Sequence, residues 1–307
     1  MHKLVALALL AAAVAAVVAI PAAAKPPGTN GKIVTGALVV DGEGQVYTVD
    51  PDGTDEQVVA DNTETGQWSP DGTLIDLFGL LLNPDDGSII DLRVNLGTLY
   101  PDLFLGCGWW APDGARLACE GIGETDPSLT GIYTVRASDG GDLQRVTSEP
   151  TGDIPRDYSP NGKRIVFARA NALFTIKLDG SGLRQITPDG LGGQGSWSPQ
   201  GNQIVFSARV PNADYRSTIW VVHSDGSGLR QLPVAGCGGL FSSPTSISCF
   251  NPSWSPDGTK IAFARLPAGG QRDLYTVNSD GSGLFRVTNT PDIEENGGDW
   301  GTHPVTP

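Results

Sequence analysis

The residues of this chain best suited to acid–base chemistry are two histidines beyond the N-terminal segment, His223 and His303. Neither lies in a Gly-x-Ser-x-Gly nucleophile motif or in a His-Glu-x-x-His zinc motif. In related segments described below, Lys177 and Asn278 stand where His223 stands, which indicates an exposed strand end and not a general base. A Ser–His–Asp triad assembled from distant residues stays open as the alternative. The sequence predicts no catalytic residue.

Closely spaced carboxylates are the second group that could carry out chemistry. Asp153 and Asp157 are four residues apart, and Glu294 and Glu295 shortly precede Trp300. Glycoside hydrolysis requires two carboxyl groups that flank the scissile bond. In a chain with 34 acidic residues, solvated loop acids are the simpler interpretation. A hydrolase or lyase acting on an envelope polysaccharide is therefore the alternative function and not the first.

A third candidate is the run Asp50-Pro-Asp-Gly-Thr-Asp55, because alternating carboxylates with a glycine resemble calcium-binding loops. The run lacks the bidentate Glu that ends an EF-hand loop. Hairpin turns also select Asp and Gly for their backbone geometry. We therefore predict a turn here, and we predict no metal and no cofactor for the chain.

A repeated phrase identifies the elements that position these residues. An aromatic residue followed by Ser or Ala, Pro, a polar residue and Gly occurs five times, and a sixth aromatic follows Asp299 near the C-terminus. The intervals between the six aromatics are 42, 48, 39, 57 and 46 residues. Repeats of about 40–45 residues are typical of four-stranded propeller blades. The six aromatics are Trp68, Trp110, Tyr158, Trp197, Trp254 and Trp300.

Each phrase introduces the same order of short strands, which the last repeat shows most clearly. After Trp254, apolar alternation predicts strands at 260–264, 273–278 and 284–288, with an Asp-Gly-Ser-Gly turn before the last one. Short strands separated by such turns indicate antiparallel hairpins, and the glycines supply the positive φ that the turns need. The repeat after Trp68 is the most degenerate, and we predict its middle strand at Ile89–Leu92.

The two ends of the chain complete one another. Ile33–Thr35 and Gln45–Val49 resemble the second and third strands of a repeat, but no aromatic phrase precedes them. Trp300 offers the missing first strand from the other end. A blade built from both termini closes a ring and leaves no long exposed strand edge. The predicted fold class is all-β: a six-bladed β-propeller of four-stranded antiparallel blades, with the six aromatics packed between blades.

The four cysteines form two pairs with partners 12 positions apart, Cys107–Cys119 and Cys237–Cys249. Four cysteines allow three pairings. Residues 107 and 119 lie six positions to either side of the turn centred on Asp113, so they should face each other across a hairpin, as a cross-strand disulfide requires. The second pair would pin the longest inter-blade loop. A zinc site is the alternative, but neither pair has the usual two-to-four-residue ligand spacing.

The N-terminus indicates export. Lys3, the apolar run 4–20 and the three alanines at 22–24 have the layout of a secretory signal peptide, with a retained membrane anchor as the alternative. Disulfide pairing also fits an oxidising compartment. We therefore predict an extracytoplasmic location, secreted or periplasmic. The expected domains are a signal peptide (1–24), a linker (25–31) and a propeller (32–307).

The charge of the chain bears on its partners. The formal net charge of -14 disfavours nucleic acid and anionic lipid surfaces, because an acidic surface repels phosphate groups. No segment beyond the predicted signal peptide approaches a transmembrane helix in length and apolarity. We predict a monomer that binds no nucleic acid and does not insert into a membrane after signal cleavage.

The phrase Trp-Ser-Pro-Asp-Gly-(Thr/Lys)-(Lys/Arg)-Ile-(Ala/Val)-Phe, followed by a strand and Asp-Gly-Ser-Gly-Leu, resembles the repeat of TolB-like propellers, also called WD40-like PD40 repeats. The resemblance covers residues 32–303. For function it implies little, because the same blades occur in Tol-system proteins, in peptidase propeller domains and in other exported proteins. The TolB family implies an N-terminal α/β domain, whereas about eight residues separate the predicted cleavage site from the first strand. We expect a TolB-like propeller without that domain.

The connections of the predicted blades indicate where a ligand would bind. With strands A to D in each blade, the A–B and C–D turns share one face, and they are short and uniform. The B–C and D–A loops share the other face and vary widely, as binding loops on a rigid scaffold do. We predict an exported, non-catalytic propeller that binds a protein or cell-envelope component there. The candidate contacts are Asp153, Arg156, Asp157, Tyr215, Arg216 and Arg272.

Overall fold

The structure is a computed structural model that describes residues 28–39, 44–63, 66–149, 152–209, 216–238 and 245–305. Within these ranges, 24 strands form six antiparallel sheets of four strands each, which confirms the predicted six-bladed propeller. The predicted signal peptide and the first residues of the predicted linker lie outside the described residues.

Each sheet is one blade, and we number the blades in chain order from the one that contains both ends of the described chain. The strands of blade 1 are β24 (Ile293–Trp300), β1 (Ile33–Val39), β2 (Gly44–Val49) and β3 (Gln57–Asp61). Those of blade 2 are β4 (Gln67–Trp68), β5 (Ile75–Asp76), β6 (Leu80–Leu82) and β7 (Ile89–Asp91). Those of blade 3 are β8 (Leu103–Trp110), β9 (Arg116–Gly123), β10 (Gly131–Arg136) and β11 (Gln144–Arg145).

The remaining three blades follow the same order, from the inner strand A to the outer strand D. Blade 4 consists of β12 (Ile154–Tyr158), β13 (Arg164–Arg169), β14 (Ala172–Lys177) and β15 (Arg184–Gln185). Blade 5 consists of β16 (Gly195–Trp197), β17 (Gln203–Ala208), β18 (Thr218–His223) and β19 (Arg230–Gln231). Blade 6 consists of β20 (Ile247–Trp254), β21 (Lys260–Pro267), β22 (Asp273–Asn278) and β23 (Phe285–Arg286).

The ring is closed by the C-terminal strand, as the sequence predicts. β24 pairs antiparallel with β1, and Trp300 lies opposite Ile33 in the register. The indole Nε1 of Trp300 donates a hydrogen bond of 2.9 Å to the carbonyl oxygen of Gly31. The two ends of the chain are therefore joined by main-chain pairing and by a buried side chain.

The six phrase aromatics are buried, and each packs against the preceding blade. Trp254 of blade 6 lies in one apolar cluster with Val205 and Ile219 of blade 5. Trp68 of blade 2 lies in another with Val34 of blade 1. This confirms that the aromatics are inter-blade core residues, and the burial of such large apolar side chains is the main stabilising contribution at each blade interface.

The Ser-Pro-Asp-Gly part of the phrase builds the A–B turn. In blade 6 the Oγ of Ser255 donates to Asp257 at 2.6 Å and accepts from the amide of Lys260 at 2.9 Å. The same Asp257 carboxylate accepts from the amide of Thr259 at 2.9 Å. Gly258 adopts φ +71°, a left-handed conformation that costs glycine little. The phrase recurs because each residue satisfies a backbone group or a backbone angle of this turn.

Blade 2 departs from the prediction. Ile89–Asp91 is the outer strand β7, and the third strand of the blade is β6. Leu92 begins a helix, α1 (Leu92–Leu99), whose first turn is capped by the Asp91 carboxylate accepting from the amide of Arg93 at 2.9 Å. The prediction was wrong because β5 and β6 are only two and three residues long and leave little alternation to read.

Candidate functional site

The inner strands of all six blades line a central channel of about 360 Å³. The residue directly before each phrase aromatic lies on this channel, because neighbouring strand residues point to opposite sides. We call the channel end near the B–C and D–A loops its mouth. The lining residues directly before the aromatics are Gln67, Trp109, Asp157, Ser196, Ser253 and Asp299.

Each blade also contributes one further side chain to the channel near its mouth. We call this set the mouth residues. They comprise one aromatic, one acid, one guanidinium and three amides. In the order of blades 2 to 6 and then 1, they are Phe78, Glu120, Arg156, Gln194, Asn251 and Asn296.

A β-bulge brings two of the predicted site residues to the channel together. The register between β12 and β13 shifts between Pro155 and Asp157, so that Arg156 is the extra residue of the bulge. Bulges redirect side chains. Arg156 and Asp157 both line the channel. Of the five predicted contacts that the structure describes, these two line it.

Arg156 is partly buried and only partly engaged. Its Nη1 donates to the Oε1 of Gln194 at 2.8 Å, whereas its Nε has no hydrogen-bond partner in the described part of the chain. Burial lowers the pKa of Arg156 to about 10, against the opposing effect of the Glu120 charge. Burial likewise raises the pKa of Glu120, and Arg156 offsets part of that change. The mouth thus contains one basic and one acidic side chain whose charges interact.

Asp76 is a buried acid in the channel wall, with 2% of its surface exposed. Its Oδ1 accepts from the amide of Gly79 at 2.7 Å, and its Oδ2 has no hydrogen-bond partner in the described ranges. Burial raises the pKa of Asp76 to about 7. Since buried polar atoms are usually hydrogen-bonded, this oxygen is available to water or to a ligand in the channel.

Phe78 is held at the mouth in a costly conformation. It adopts φ +60° and Gly79 adopts φ +92°, in the tight turn closed by the hydrogen bond of 2.7 Å from the Leu77 amide to the Leu80 carbonyl. Bulky residues rarely occupy this region, and such strain is concentrated at functional sites. A Cβ on Gly106 would lie 2.5 Å from the tip of the Phe78 ring, so glycine is required beneath it. The side chain remains 44% exposed.

Two carboxylates of the channel also join neighbouring blades. The Oδ2 of Asp157 in blade 4 accepts from the amide of Trp197 in blade 5 at 2.8 Å. The Oδ2 of Asp299 in blade 1 accepts from the amide of Trp68 in blade 2 at 3.0 Å. These bonds give both acids a structural role in addition to their place on the channel wall.

Three other predicted contacts, Asp153, Arg216 and Arg272, do not line the channel. Asp153 is fully buried and forms a bidentate ion pair with Arg169, at 2.7 and 2.8 Å. Arg216 donates from Nε to the Oγ of Ser246 at 2.8 Å. Arg272 donates to Glu294 at 2.7 and 2.9 Å. Tyr215 lies outside the described residues. Whether these residues contact a partner stays a prediction.

The remaining titratable candidates have partners within the fold. The ammonium of Lys32 lies between Asp50 and Asp55 in the run first considered for calcium, and it forms ion pairs with both. Burial alone would lower the pKa of Lys32, but its hydrogen bonds to Asp55 and Asp50 outweigh that effect and raise it. His223 is exposed and bonds Ser227, and His303 stacks on the Trp68 ring.

Glu295 is a second buried acid, and it lies outside the channel lining. It is 2% exposed and accepts from the Thr290 hydroxyl at 2.5 Å. Burial raises its pKa to about 7, although its hydrogen bonds with Thr290 and Thr288 act in the opposite direction. The Glu294–Glu295 pair therefore does not form a two-carboxylate site, because Glu294 is engaged with Arg272.

Both predicted disulfides are present. Cys107 and Cys119 are opposite one another in the β8–β9 register. Cys237–Cys249 ties the connection between blades 5 and 6 to β20. In the described part of the chain, no group of three or more His, Cys, Asp or Glu side chains is arranged to hold a metal ion. No helix in the described ranges has the length and apolarity to cross a bilayer.

Five mouth residues and Asp76 were missed by sequence reasoning, which selected only Arg156 among the mouth residues. The available signal was disagreement between repeats: three residues before the phrase aromatic, blades 5 and 6 have the amides Gln194 and Asn251, whereas blades 3 and 4 have Cys107 and Pro155. A search for catalytic motifs does not register such differences, whereas an alignment of the six repeats by strand would have.

Comparison with known proteins supports the fold. No protein-family model matches the chain. An uncharacterized protein of Agrobacterium fabrum is 27% identical over 164 residues, which is 51% of this chain and 53% of that protein, so the match spans about half the length of this relative.

The structure of TolB from Acinetobacter baumannii has a TM-score of 0.65 and 17% identity, over 88% of this chain and 66% of that one. A structure described as a TolB from Agrobacterium tumefaciens has a TM-score of 0.61 and 19% identity, over 89% and 99%. The chain is thus a TolB-like six-bladed β-propeller in its fold.

Proposed function

We propose that this protein is an exported, non-catalytic binding protein that captures a protein or cell-envelope component at the mouth of its channel. The observation that supports this most is the set of mouth residues, which comprise four types of side chain in six blades although the blades otherwise repeat. A rigid ring with dissimilar side chains at one end is suited to recognising an asymmetric ligand.

Further support comes from the restraint of the loops on this face. The Cys237–Cys249 disulfide ties the blade 5–6 connection to β20, and the Arg272–Glu294 pair links β24 to the segment before β22. Restraint before binding lowers the entropy that a ligand must remove when it orders the loops. The two disulfides also fit an extracytoplasmic location, which remains part of the proposal.

The test is capture from an envelope extract with two variants that each remove one positive charge. Arg156→Gln changes a mouth residue, and Lys163→Gln changes an exposed residue in the A–B turn of the same blade. We expect Arg156→Gln to lose the captured component and Lys163→Gln to keep it. Equal capture by both variants and by the unchanged protein would place the binding surface elsewhere.

A second function, a hydrolase or lyase acting on an envelope polysaccharide, is favoured by one observation. Asp76 and Glu120 both line the channel, and burial raises the pKa of each carboxyl, as happens in many acid–base sites. Incubation of the purified protein with polysaccharides, followed by a reducing-end assay, tests it. Turnover that Asp76→Asn abolishes would establish the enzyme and displace the binding proposal.

A further inference from the structure

We propose that the channel mouth binds the end of an uncharged oligosaccharide. This inference deepens the proposed binding function and rests on it. Three features of the described residues support it: the way the mouth amides are anchored, the exposed aromatic ring beside them, and the balance of charge around them.

The three mouth amides are each fixed through one polar atom. Gln194 accepts through Oε1 from Arg156 at 2.8 Å, Asn251 donates through Nδ2 to the Asn296 carbonyl, and Asn296 accepts through Oδ1 from Arg272. Each amide has a second polar atom, which is a donor in Gln194 and Asn296 and an acceptor in Asn251. Sugar hydroxyls both donate and accept, so they match an arc in which donors and acceptors alternate. Because the three amide side chains are already anchored before binding, they lose less conformational entropy when a ligand binds.

The backbone at these positions is shaped for presentation. Asn251 adopts φ +53° within a bulge of β20, where the register with β21 shifts between Phe250 and Ser253. Phe78 also adopts a left-handed conformation, as described above. Asparagine tolerates this conformation, whereas a bulky residue rarely adopts it, so the strain at Phe78 indicates that its side-chain placement is maintained at the expense of stability.

Phe78 and Trp109 supply the apolar part of the site. Both line the channel, and 44% of the Phe78 side chain is exposed. One face of a pyranose ring carries C–H groups, which pack on aromatic rings through the hydrophobic effect and dispersion. A ligand that is polar at its edge and apolar on its face therefore fits this wall.

The charges of the mouth favour a ligand without net charge. The six mouth residues have no formal net charge, because Arg156 and Glu120 are one base and one acid and the other four side chains are uncharged. The carboxylates of Asp157 and Asp299 also line the channel, but they are not mouth residues, and both accept hydrogen bonds from backbone amides of the next blades. A volume of about 360 Å³ lies at the lower end of small-molecule pockets and suits a short saccharide end.

The test measures binding of neutral cello-, chito- and malto-oligosaccharides of about two to four units to the purified protein by calorimetry. The informative variant is Phe78→Asn, because asparagine tolerates the left-handed conformation and the variant should melt at a higher temperature. Phe285→Asn is its control: Phe285 is 46% exposed on the outer strand β23, away from the channel. We expect at least a tenfold loss of saccharide affinity for Phe78→Asn and no change for Phe285→Asn.

Two results would overturn the inference: no binding of any of these saccharides, or binding that Phe78→Asn leaves unchanged. If no saccharide binds while a protein is still captured from the envelope extract in an Arg156-dependent manner, the oligosaccharide inference fails and the proposed binding function stands. If neither saccharide nor envelope component is retained, both fail.

Discussion

The turn end and the mouth end of the blades are built from the same strands and differ in what their sequences repeat. At the turn end, Ser69 and Asp71 in blade 2 form the same hydrogen bond as Ser255 and Asp257 in blade 6, at 2.6 Å in both. At the mouth, the six blades contribute four types of side chain. In a repeat fold the positions that agree are therefore those that stabilise the blade, and the positions that disagree are those free to serve binding.

The largest effect on stability should come from a tryptophan between blades, and a tryptophan on the channel wall should contribute less. Trp254 is 2% exposed between blades, whereas Trp109 is half-buried on the channel. Trp254→Ala should lower the free energy of unfolding by about 3–5 kcal/mol, as for other large-to-small core changes, and Trp109→Ala by clearly less. Chemical denaturation of both variants measures this. An equal loss would mean that the channel wall is as important for stability as the blade interfaces.

Asp76→Asn should have the next largest effect, and its size should depend on pH. Burial raises the pKa of Asp76 to about 7 from about 3.8, so the folded state binds more protons than the unfolded state between these values. The stability associated with protonated Asp76 is complete below the unfolded pKa and is lost as pH rises through the folded pKa. The variant, which removes the ionisation, should be more stable than the parent by about 3–4 kcal/mol at pH 8, with the gain falling toward pH 4.

Asp71→Asn provides the opposite case at the turn end. Although burial acts to raise its pKa, hydrogen bonds from Ser69 and Thr73 prevail and lower it. A depressed carboxyl pKa stabilises the fold above the unfolded pKa, and this contribution is lost as pH falls through the folded pKa. Thermal melts from pH 3 to 8 should show Asp71→Asn slightly less stable at high pH. If the stability changes caused by Asp76→Asn and Asp71→Asn had the same pH dependence, the opposite pKa shifts of the two carboxyls would be contradicted.

The sequence was sufficient to predict the ring of six blades but not to predict most of the mouth residues. Trp68 and Trp254 recur with their turns at blade spacing, so the number of blades and the β24–β1 closure could be derived from periodicity alone. The prediction of the strands of blade 2 was wrong because β4, β5 and β6 are too short to show an alternation of apolar and polar residues. The other mouth residues were missed for a different reason: Asn251 lies in a bulge and Phe78 in a strained turn, and neither local geometry follows from residue type.

Removal of the Cys237–Cys249 disulfide tests how far loop restraint serves binding. Cys237→Ser with Cys249→Ser frees the connection between blades 5 and 6 and should cost about 3 kcal/mol at most, on the loop-entropy account. The pair Cys107→Ser and Cys119→Ser has the same separation of 12 residues but lies within a hairpin that its ladder already holds. We expect the first variant to lose more ligand affinity than the second. Equal affinities in calorimetry would show that this restraint is unrelated to binding.

The smallest effects should come from left-handed backbone positions at the two ends of one blade. Ala170 and Asn171 form the two-residue B–C turn of blade 4, with φ +48° and +61°, and Ala170 is exposed. Asparagine is favoured over alanine in such turns, so Ala170→Asn should stabilise by about 0.5–1 kcal/mol.

At the turn end of the same blade, Gly162 adopts φ +67°, and an added Cβ would lie 3.1 Å from the Cγ of Pro112. Gly162→Ala should therefore destabilise by about 1–2 kcal/mol. Both variants are measured by denaturation and by capture from envelope extract, and neither should change capture. Ala170 shows that a left-handed residue other than glycine is tolerated at the mouth end, whereas we expect the repeated A–B turn to require Gly162. If Gly162→Ala stabilised the protein, the glycine of the repeated phrase would not be there for turn geometry.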